Sequence, residues 1–335
     1  MNAPTPSRQA TPAACAHIVL YAADGSDRDL AIDEIALPSS NDALLWIDID
    51  CDAPELVTDV CGRLELPRSA CSHLVELSAA PLLRLYGDRL VVQVAAVEHA
   101  GGLKFEGTVL AIAAGPNFVL TVHHKPIDFI PSIRKREHGE TRLGMLSAPS
   151  FVASLLDWQL GTYFEAVSAF ERAAERLEES ILADRRDESD TAELRLLRRG
   201  ASRLRRMLAP HRALFSGLAR PDFRPDDDEE TLRHFQRLDE HFERAMDIVE
   251  DARELVVGSF ELFSNQIAVR TNASMRLLTF ATVVIGLQTV IAGALGMNFK
   301  AGFFDTAGLG FWLAVAGMAL VTAIAAWIGR RKRWF

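Results

Sequence analysis

Neutral oxygen donors are the residues of this chain best suited to chemistry. Gly296-Met297-Asn298 stands where an uncharged run of 21 residues, Leu277–Met297, comes to its end. The Asn298 carboxamide and the carbonyls freed at a helix end are outer-shell ligands for a hydrated hard cation. Projected as a helix, Asn272, Met275, Leu278, Thr279, Thr282, Gly286, Thr289 and Gly293 share one face, about a third of the circumference. Such a stripe has two readings. Small and hydroxyl residues collect where membrane helices pack closely, with Ser and Thr bonding back to their own carbonyls. They also line water-filled tubes, in which apolar collars gate by dewetting. Continuity with Asn298 favours the tube, with Met275 and Leu278 as the apolar collars nearest the cytoplasm, a hydrophobic gate.

A helix needs about 20 apolar residues to cross the hydrocarbon of a bilayer, and residues 277–297 and 308–329 both reach that length without a charge. The loop between them, Asn298–Ala307, is too short for a folded domain, so both chain ends lie on one side. Arg330, Arg331, Lys332 and Arg333 after the second span, and Arg270 and Arg276 before the first, mark that side as the cytoplasm. The expectation is a multi-pass protein of the bacterial inner membrane with a basic tail, residues 330–335.

The first span must be held by what precedes it. Phe235, Leu238, Phe242, Ala245, Val249, Ala252, Val256, Phe260, Phe263 and Ile267 recur in steps of three and four, a heptad-like seam. No proline falls between Thr231 and the end of the span. One helix of about 65–70 residues, on the order of 100 Å long, is therefore predicted. Its residues 226–276 form a stalk whose seam calls for helical partners, some from neighbouring subunits.

Upstream, residues 16–148 read as an α/β domain. His17–Ala23, Ala43–Ile49, Leu82–Tyr86, Leu90–Val97, Thr108–Ala113 and Phe118–His123 carry strand signals, and Pro54–Leu66 and Arg68–Leu77 have helical spacing. Residues 149–225 turn helical, with Phe151–Leu182 and Thr191–Leu218 as long helices joined by the turn Asp184–Asp190. Residues 1–15 contain no apolar core run, so no signal peptide is expected there and a disordered tail is predicted.

Charge is unevenly divided. Of a net −9, residues 270–335 carry +6, which leaves −15 for residues 1–269. That acidity argues against a nucleic-acid partner and suits a surface that concentrates cations. Arg195, Arg198, Arg199, Arg203, Arg205 and Arg206 nearly encircle their helix and read as solvated or ion-paired. Cys15, Cys51, Cys61 and Cys71 lack paired zinc-site spacing and read as small buried side chains.

The block Thr271-Asn272-Ala273-Ser274-Met275-Arg276-Leu277-Leu278-Thr279, then Thr289-Val290-Ile291-Ala292-Gly293, then Gly296-Met297-Asn298-Phe299 resembles the stalk-to-pore segment of the CorA-type divalent metal-ion transporters. Weaker similarity extends through Leu194–Arg212, including Pro210 and Arg212, and to Trp46-Ile47-Asp48. The resemblance implies an α+β membrane protein: a funnel-shaped homopentamer with an N-terminal α/β cytoplasmic domain, a long helical stalk and two C-terminal transmembrane helices. It implies that the first span of each subunit lines a central pore, with Asn272, Met275, Leu278, Thr282, Gly286, Thr289, Gly293 and Asn298 facing it, and that Gly296, Met297 and Asn298 form its outer selectivity mouth. The partners implied are other copies of the chain, membrane lipids and divalent cations. Mg²⁺, Co²⁺ or Zn²⁺ is cargo, and no cofactor is expected.

Three departures bear on the ion. Leu287 and Gln288 stand where magnesium-type members usually have proline, which removes a kink signal. After the Gly-Met-Asn motif the chain reads Phe299-Lys300-Ala301-Gly302-Phe303-Phe304-Asp305 instead of an acidic loop. Arg237 takes the place of an acidic stalk residue that contributes to metal sensing in magnesium-gated relatives, with Asp239 and Glu240 expected to point elsewhere. The ZntB branch, proton-linked zinc transporters, also lacks the acidic loop and has a Pro-x-Arg element like Pro210-His211-Arg212. Against it, Phe299–Phe304 is not the glycine-rich run usual there. A magnesium/cobalt-type pathway is favoured over zinc.

Other constellations compete weakly. His123 and His124, adjacent on a strand end, point to opposite faces and do not chelate together. Asp48, Asp50 and Asp52 lack the glycine and distal glutamate of an EF-hand, and are not expected beside the histidines. No phosphate loop or Ser/His/Asp order supports an enzyme. A membrane-anchored oligomeric structural or signalling protein would share the hairpin, stalk and tail, but would not need a continuous polar stripe ending in Gly-Met-Asn.

Overall fold

The computed structural model describes residues 15–38, 42–99, 103–137, 146–182, 189–224, 229–297 and 308–331, and clusters into two units, Met1–Gly258 and Ser259–Phe335. The tail before Cys15, most of the expected turn at Asp184–Asp190, the acidic residues 226–228, the loop from Asn298 to Ala307 and residues 332–335 lie outside the described residues.

The first unit is built on one sheet in the order β2-β1-β3-β7-β6-β5-β4. Its strands are β1 (Ala16–Ala22), β2 (Arg28–Asp29), β3 (Ala43–Ile49), β4 (Leu82–Tyr86), β5 (Arg89–His99), β6 (Phe105–Ala114) and β7 (Phe118–Val122). Neighbours run antiparallel except β3 and β7, which are parallel. The six expected strands are present, with ends shifted by at most three residues. The two-residue β2 is too short to show alternation. Gly87, with φ +68° in the turn between β4 and β5, takes the left-handed conformation that favours glycine.

β3 is central and buried on both faces, which is why it reads as an almost continuous apolar run. Leu45, Ile47 and Ile49 join the core with α1 (Pro54–Arg63) and α2 (Arg68–Val75), which supply Leu56, Val57, Val60, Cys61, Ala70 and Leu74. Pro54 sits in the first turn of α1, where a missing N–H leaves nothing unsatisfied. On the opposite face Trp46 meets Phe151 edge-on at 5.1 Å. Phe151 belongs to α4 (Ala148–Leu182), and a shorter helix that the sequence did not announce, α3 (Phe129–Glu137), follows β7. Cys15 and Cys61 are buried, Cys51 and Cys71 half-buried, and all four are free thiols. Cys15 is thus held by the sheet, its carbonyl accepting from the Asp50 N–H.

The remaining helices are α5 (Ser189–Leu208), α6 (Arg212–Leu218), α7 (Glu229–Gly296) and α8 (Gly308–Arg331). The expected helix Thr191–Leu218 is broken at a 3-10 turn, Ala209–His211, because Pro210 has no N–H to continue the ladder. This break solves an edge problem. β4 stops pairing at Leu82–Gln93, so the outer edge of β5 has no strand beside Ala95 and Val97. Side chains take its place: the Ala95 N–H donates to His211 Nε2 at 3.0 Å, and Gln159 Nε2 and Tyr163 Oη donate to the Ala95 carbonyl at 2.6 and 3.0 Å. The Val97 N–H donates to Thr162 Oγ1 at 2.9 Å. With Nδ1 donating to the Leu208 carbonyl, the His211 ring is neutral, and burial pushes its pKa down to about 4.

Within the first unit, the seam of α7 is filled by the chain itself. Phe235, Leu238, Phe242, Ala245, Val249, Ala252 and Val256 are all buried. Phe242 stacks on Phe215 of α6 at 4.8 Å, Glu243 pairs with Arg212, and Glu250 pairs with Arg205 at 2.7 Å. The partners of these seam positions are thus helices of the same chain. In the second unit, Phe260 and Ile267 are exposed and Phe263 half-buried.

Candidate functional site

The described part of the site lies on one α-helix with two unlike faces. On α7, Phe280, Ala281, Val284, Gln288, Ile291 and Leu295 are half-buried, and on α8 Ala314, Met318, Val321, Ala325 and Ala326 are half-buried at matching spacing. These are the faces by which the two apolar helices meet. Gln288 Nε2 crosses between them, donating to the Met318 carbonyl at 2.8 Å and to Thr322 Oγ1 at 2.5 Å. The stripe lies on the other side of the helix. Met275 and Leu278 are 60 % and 65 % exposed, and Asn272, Thr282, Gly286, Thr289 and Gly293 are exposed as well. A side chain at Gly286, Gly293 or Gly296 would meet open space. Among the described residues, the chain therefore leaves this face free.

The threonines have a defined polarity. Thr279, Thr282 and Thr289 each donate to the carbonyl four residues earlier, those of Met275, Leu278 and Ile285, at 2.8 Å. Back-bonding of this kind is what close helix packing also shows. It commits the hydroxyl proton to the backbone and leaves the oxygen lone pairs as acceptors directed off the helix. Acceptors without donors favour a cation and the water around it. At the end of α7, the Met297 N–H donates to the Ala294 carbonyl at 3.4 Å, and the Met297 side chain is 55 % exposed. Asn298, the outer member of the motif, lies outside the described residues.

The competing clusters take a different form from the one expected. Asp48 and His123 are adjacent, because parallel pairing of β3 with β7 sets Asp48 opposite Thr121. Asp48 Oδ1 accepts from Thr121 Oγ1 at 2.6 Å and lies 3.2 Å from His123 Nε2, while Oδ2 is 3.6 Å from Arg134 of α3. His123 Nδ1 is 2.6 Å from the Lys125 carbonyl, so both ring nitrogens face acceptors. Burial disfavours a charged His123, but Asp48 and the Lys125 carbonyl outweigh it and raise the pKa. His124 is exposed, 3.8 Å from Asp52. Periodicity along one strand could not reveal these pairs, since they form across strands far apart in sequence. They are carboxylate–imidazole pairs; among the described residues no group of three or more His, Cys, Asp or Glu is placed to hold a metal ion.

Arg237 lines a cleft of about 490 Å³ between α4 and α7, with Ser150, Asp157, His234, Glu240, His241 and Arg244. His241 Nδ1 is 2.5 Å from Asp157 Oδ1. Glu240 thus shares the cleft with Arg237, contrary to expectation. Asp239 is outside the lining; burial, then Glu243, raises the pKa of its carboxyl.

Comparison with known proteins bears on the whole of this arrangement. The family model described as CorA-like Mg²⁺ transporter protein matches residues 41–331. The divalent cation transporter CmaX of Pseudomonas aeruginosa is 29 % identical over 295 residues, 87 % of either chain. The cobalt/magnesium transport protein CorA of Thermotoga maritima is 25 % identical over 232 residues, 69 % of this chain and 66 % of that one. The complete structure of the CorA magnesium transporter from Methanocaldococcus jannaschii superposes with a TM-score of 0.76 at 21 % identity, covering 95 % of this chain and 98 % of that one.

Proposed function

Because this chain belongs to the CorA-like Mg²⁺ transporter family, we propose that it carries divalent cations across a membrane through a pore formed by the stripes of several α7 helices. Five copies close the pore, with both chain ends in the cytoplasm of a bacterial inner membrane. The observation that carries this reading is the free face of α7: acceptor oxygens and glycines opposite the face that meets α8, leading to Gly296-Met297-Asn298. Mg²⁺ releases its water reluctantly. A path of neutral dipoles lets it pass hydrated, while carboxylates in the path would hold it. Asn298 is the residue that first recognises the hydrated ion, and Met275 and Leu278 close the path by excluding water.

Mg²⁺ or Co²⁺ is the cargo favoured over Zn²⁺. Proton coupling needs a group that titrates, and residues 277–297 and 308–329 contain no Asp, Glu, His, Lys or Arg. The Pro210-His211-Arg212 element, which the zinc branch shares, has a structural explanation in the capping of β5. The test is uptake of Mg²⁺, Co²⁺ and Zn²⁺ into proteoliposomes holding only this protein, with and without a pH gradient. Mg²⁺ and Co²⁺ uptake indifferent to the gradient is expected. Zn²⁺ uptake that requires it would replace this reading with the zinc one.

A further inference from the structure

Gln288 is the one polar side chain between Leu277 and Met297 that does not belong to the stripe. At about 100° per residue it lies roughly 130° from the stripe's centre. Both hydrogens of its amide are committed to α8, one to the Met318 carbonyl and one to Thr322 Oγ1. Thr322 Oγ1 itself donates to the Met318 carbonyl at 3.0 Å, so the three groups form one closed cluster. The remaining atom, Gln288 Oε1, is buried with no hydrogen-bond partner. In hydrocarbon no water can serve it, and an orphaned acceptor is destabilising. A leucine would fill the site without that cost, so the amide is not explained by stability alone.

Geometry explains it. The other residues of α7 that meet α8, among them Val284, Ile291 and Leu295, are apolar. Between apolar helices in lipid only packing resists rotation, whereas a two-pronged hydrogen bond has one angle that satisfies it. Thr289 follows Gln288 directly, so the angle held at Gln288 sets where Thr289 and, one turn on, Gly293 face. We propose that Gln288 is a positioning residue that fixes the rotation of α7 against α8 and thereby aims Thr289 and Gly293 into the ion path. This rests on the pore reading above.

The experiment uses the full chain with its four cysteines replaced by alanine, reconstituted in liposomes, and carrying either Thr289→Cys or Leu287→Cys. A water-soluble methanethiosulfonate should modify the cysteine at 289 and spare the one at 287. Gln288→Met keeps the volume and removes the hydrogen bonds. With it, modification at 289 should slow and modification at 287 should appear. Maximal divalent flux should fall by roughly threefold or more, the factor that corresponds to one ordinary interhelical hydrogen bond. The half-saturating concentration should not change, since the mouth is elsewhere. Thr322→Val, which removes one acceptor from the other helix, should shift labelling and flux the same way, and the double variant should be no worse than Gln288→Met. Unchanged labelling and flux in Gln288→Met overturn the proposal, as do unchanged values in Thr322→Val if Gln288→Met does not assemble. Absence of divalent flux in the wild-type chain would instead refute the pore reading, while the labelling pattern would still test the brace.

Discussion

The two parts of α7 obey one sequence rule and meet opposite fates. From Phe235 to Val256 the apolar positions at three- and four-residue spacing are buried by α4, α5 and α6 of the same chain. From Phe260 onward burial by the chain falls away: Phe260 is 53 % and Leu278 65 % exposed, and Phe263 is only half-buried. Lipid covers apolar side chains well, whereas small and hydroxyl residues collect where a membrane helix meets another helix or water. The comparison teaches that, among the described residues, the chain supplies partners for the first part of the helix and none for the stripe. On the pore reading proposed above, self-association covers that face and five copies leave a path between them.

If the two parts differ in this way, substitutions should separate them. The largest effect is expected at Asn298. Asn298→Ala should reduce divalent uptake to background while thermal stability and assembly stay at wild-type values. Wild-type uptake in an assembled mutant would remove Asn298 from the mouth. In the first part the pattern should invert: Phe242→Ala, which removes a ring stacked on Phe215, should cost about 3–5 kcal/mol of stability. A denaturation midpoint close to wild type would show that the seam packing is not what holds the helix.

The two buried histidines of the first unit give the next largest effect, and with opposite signs. His211 is kept neutral when folded, with a pKa near 4 against 6.5 in an unfolded chain. Unfolded chains therefore take up the proton first, and His211 removes stability as pH falls from 6.5 towards 4, by about 3 kcal/mol in all. His123, with a raised pKa, contributes stability below pH 6.5 that is lost as pH rises through its folded value. Thermal melts of the purified protein across pH 4–7 should flatten at the acid end in His211→Gln. An unchanged acid limb in that variant would move the titration to another group.

Smaller changes are expected along the stripe. Met275→Ser and Leu278→Ser should each raise leak under closed conditions, because a polar collar no longer excludes water. They should leave stability alone, since neither side chain is buried by its own chain. Two variants that conduct no more than wild type would place the constriction elsewhere. The smallest response is expected from internal Mg²⁺. The Arg237 guanidinium is a cation that repels a divalent ion from its cleft, although Glu240 and Asp157 share the lining. Flux should change little with millimolar internal Mg²⁺. Steep inhibition, lost in Glu240→Gln, would show that the cleft senses metal in spite of Arg237.

Much of this molecule is dictated locally, and those parts were legible in the sequence. Apolar runs with no charge, a seam without proline and Pro54 opening a helix depend on neighbours within a few turns. Length and periodicity read them directly. The β-strands were legible for the same reason, while β2 and α3 were too short or too polar to stand out. What depended on contacts between distant residues was decided only by tertiary structure. Parallel pairing of β3 with β7 put Asp48 against His123, 75 positions away. The unpaired edge of β5 turned Pro210-His211-Arg212 from a motif into a cap, with His211 reaching Ala95 across 116 positions. The face of α7 that meets α8 became visible only once Gln288 was seen to reach Met318 and Thr322. A sequence pattern states which residues share a face, but the partner of that face is chosen by the fold.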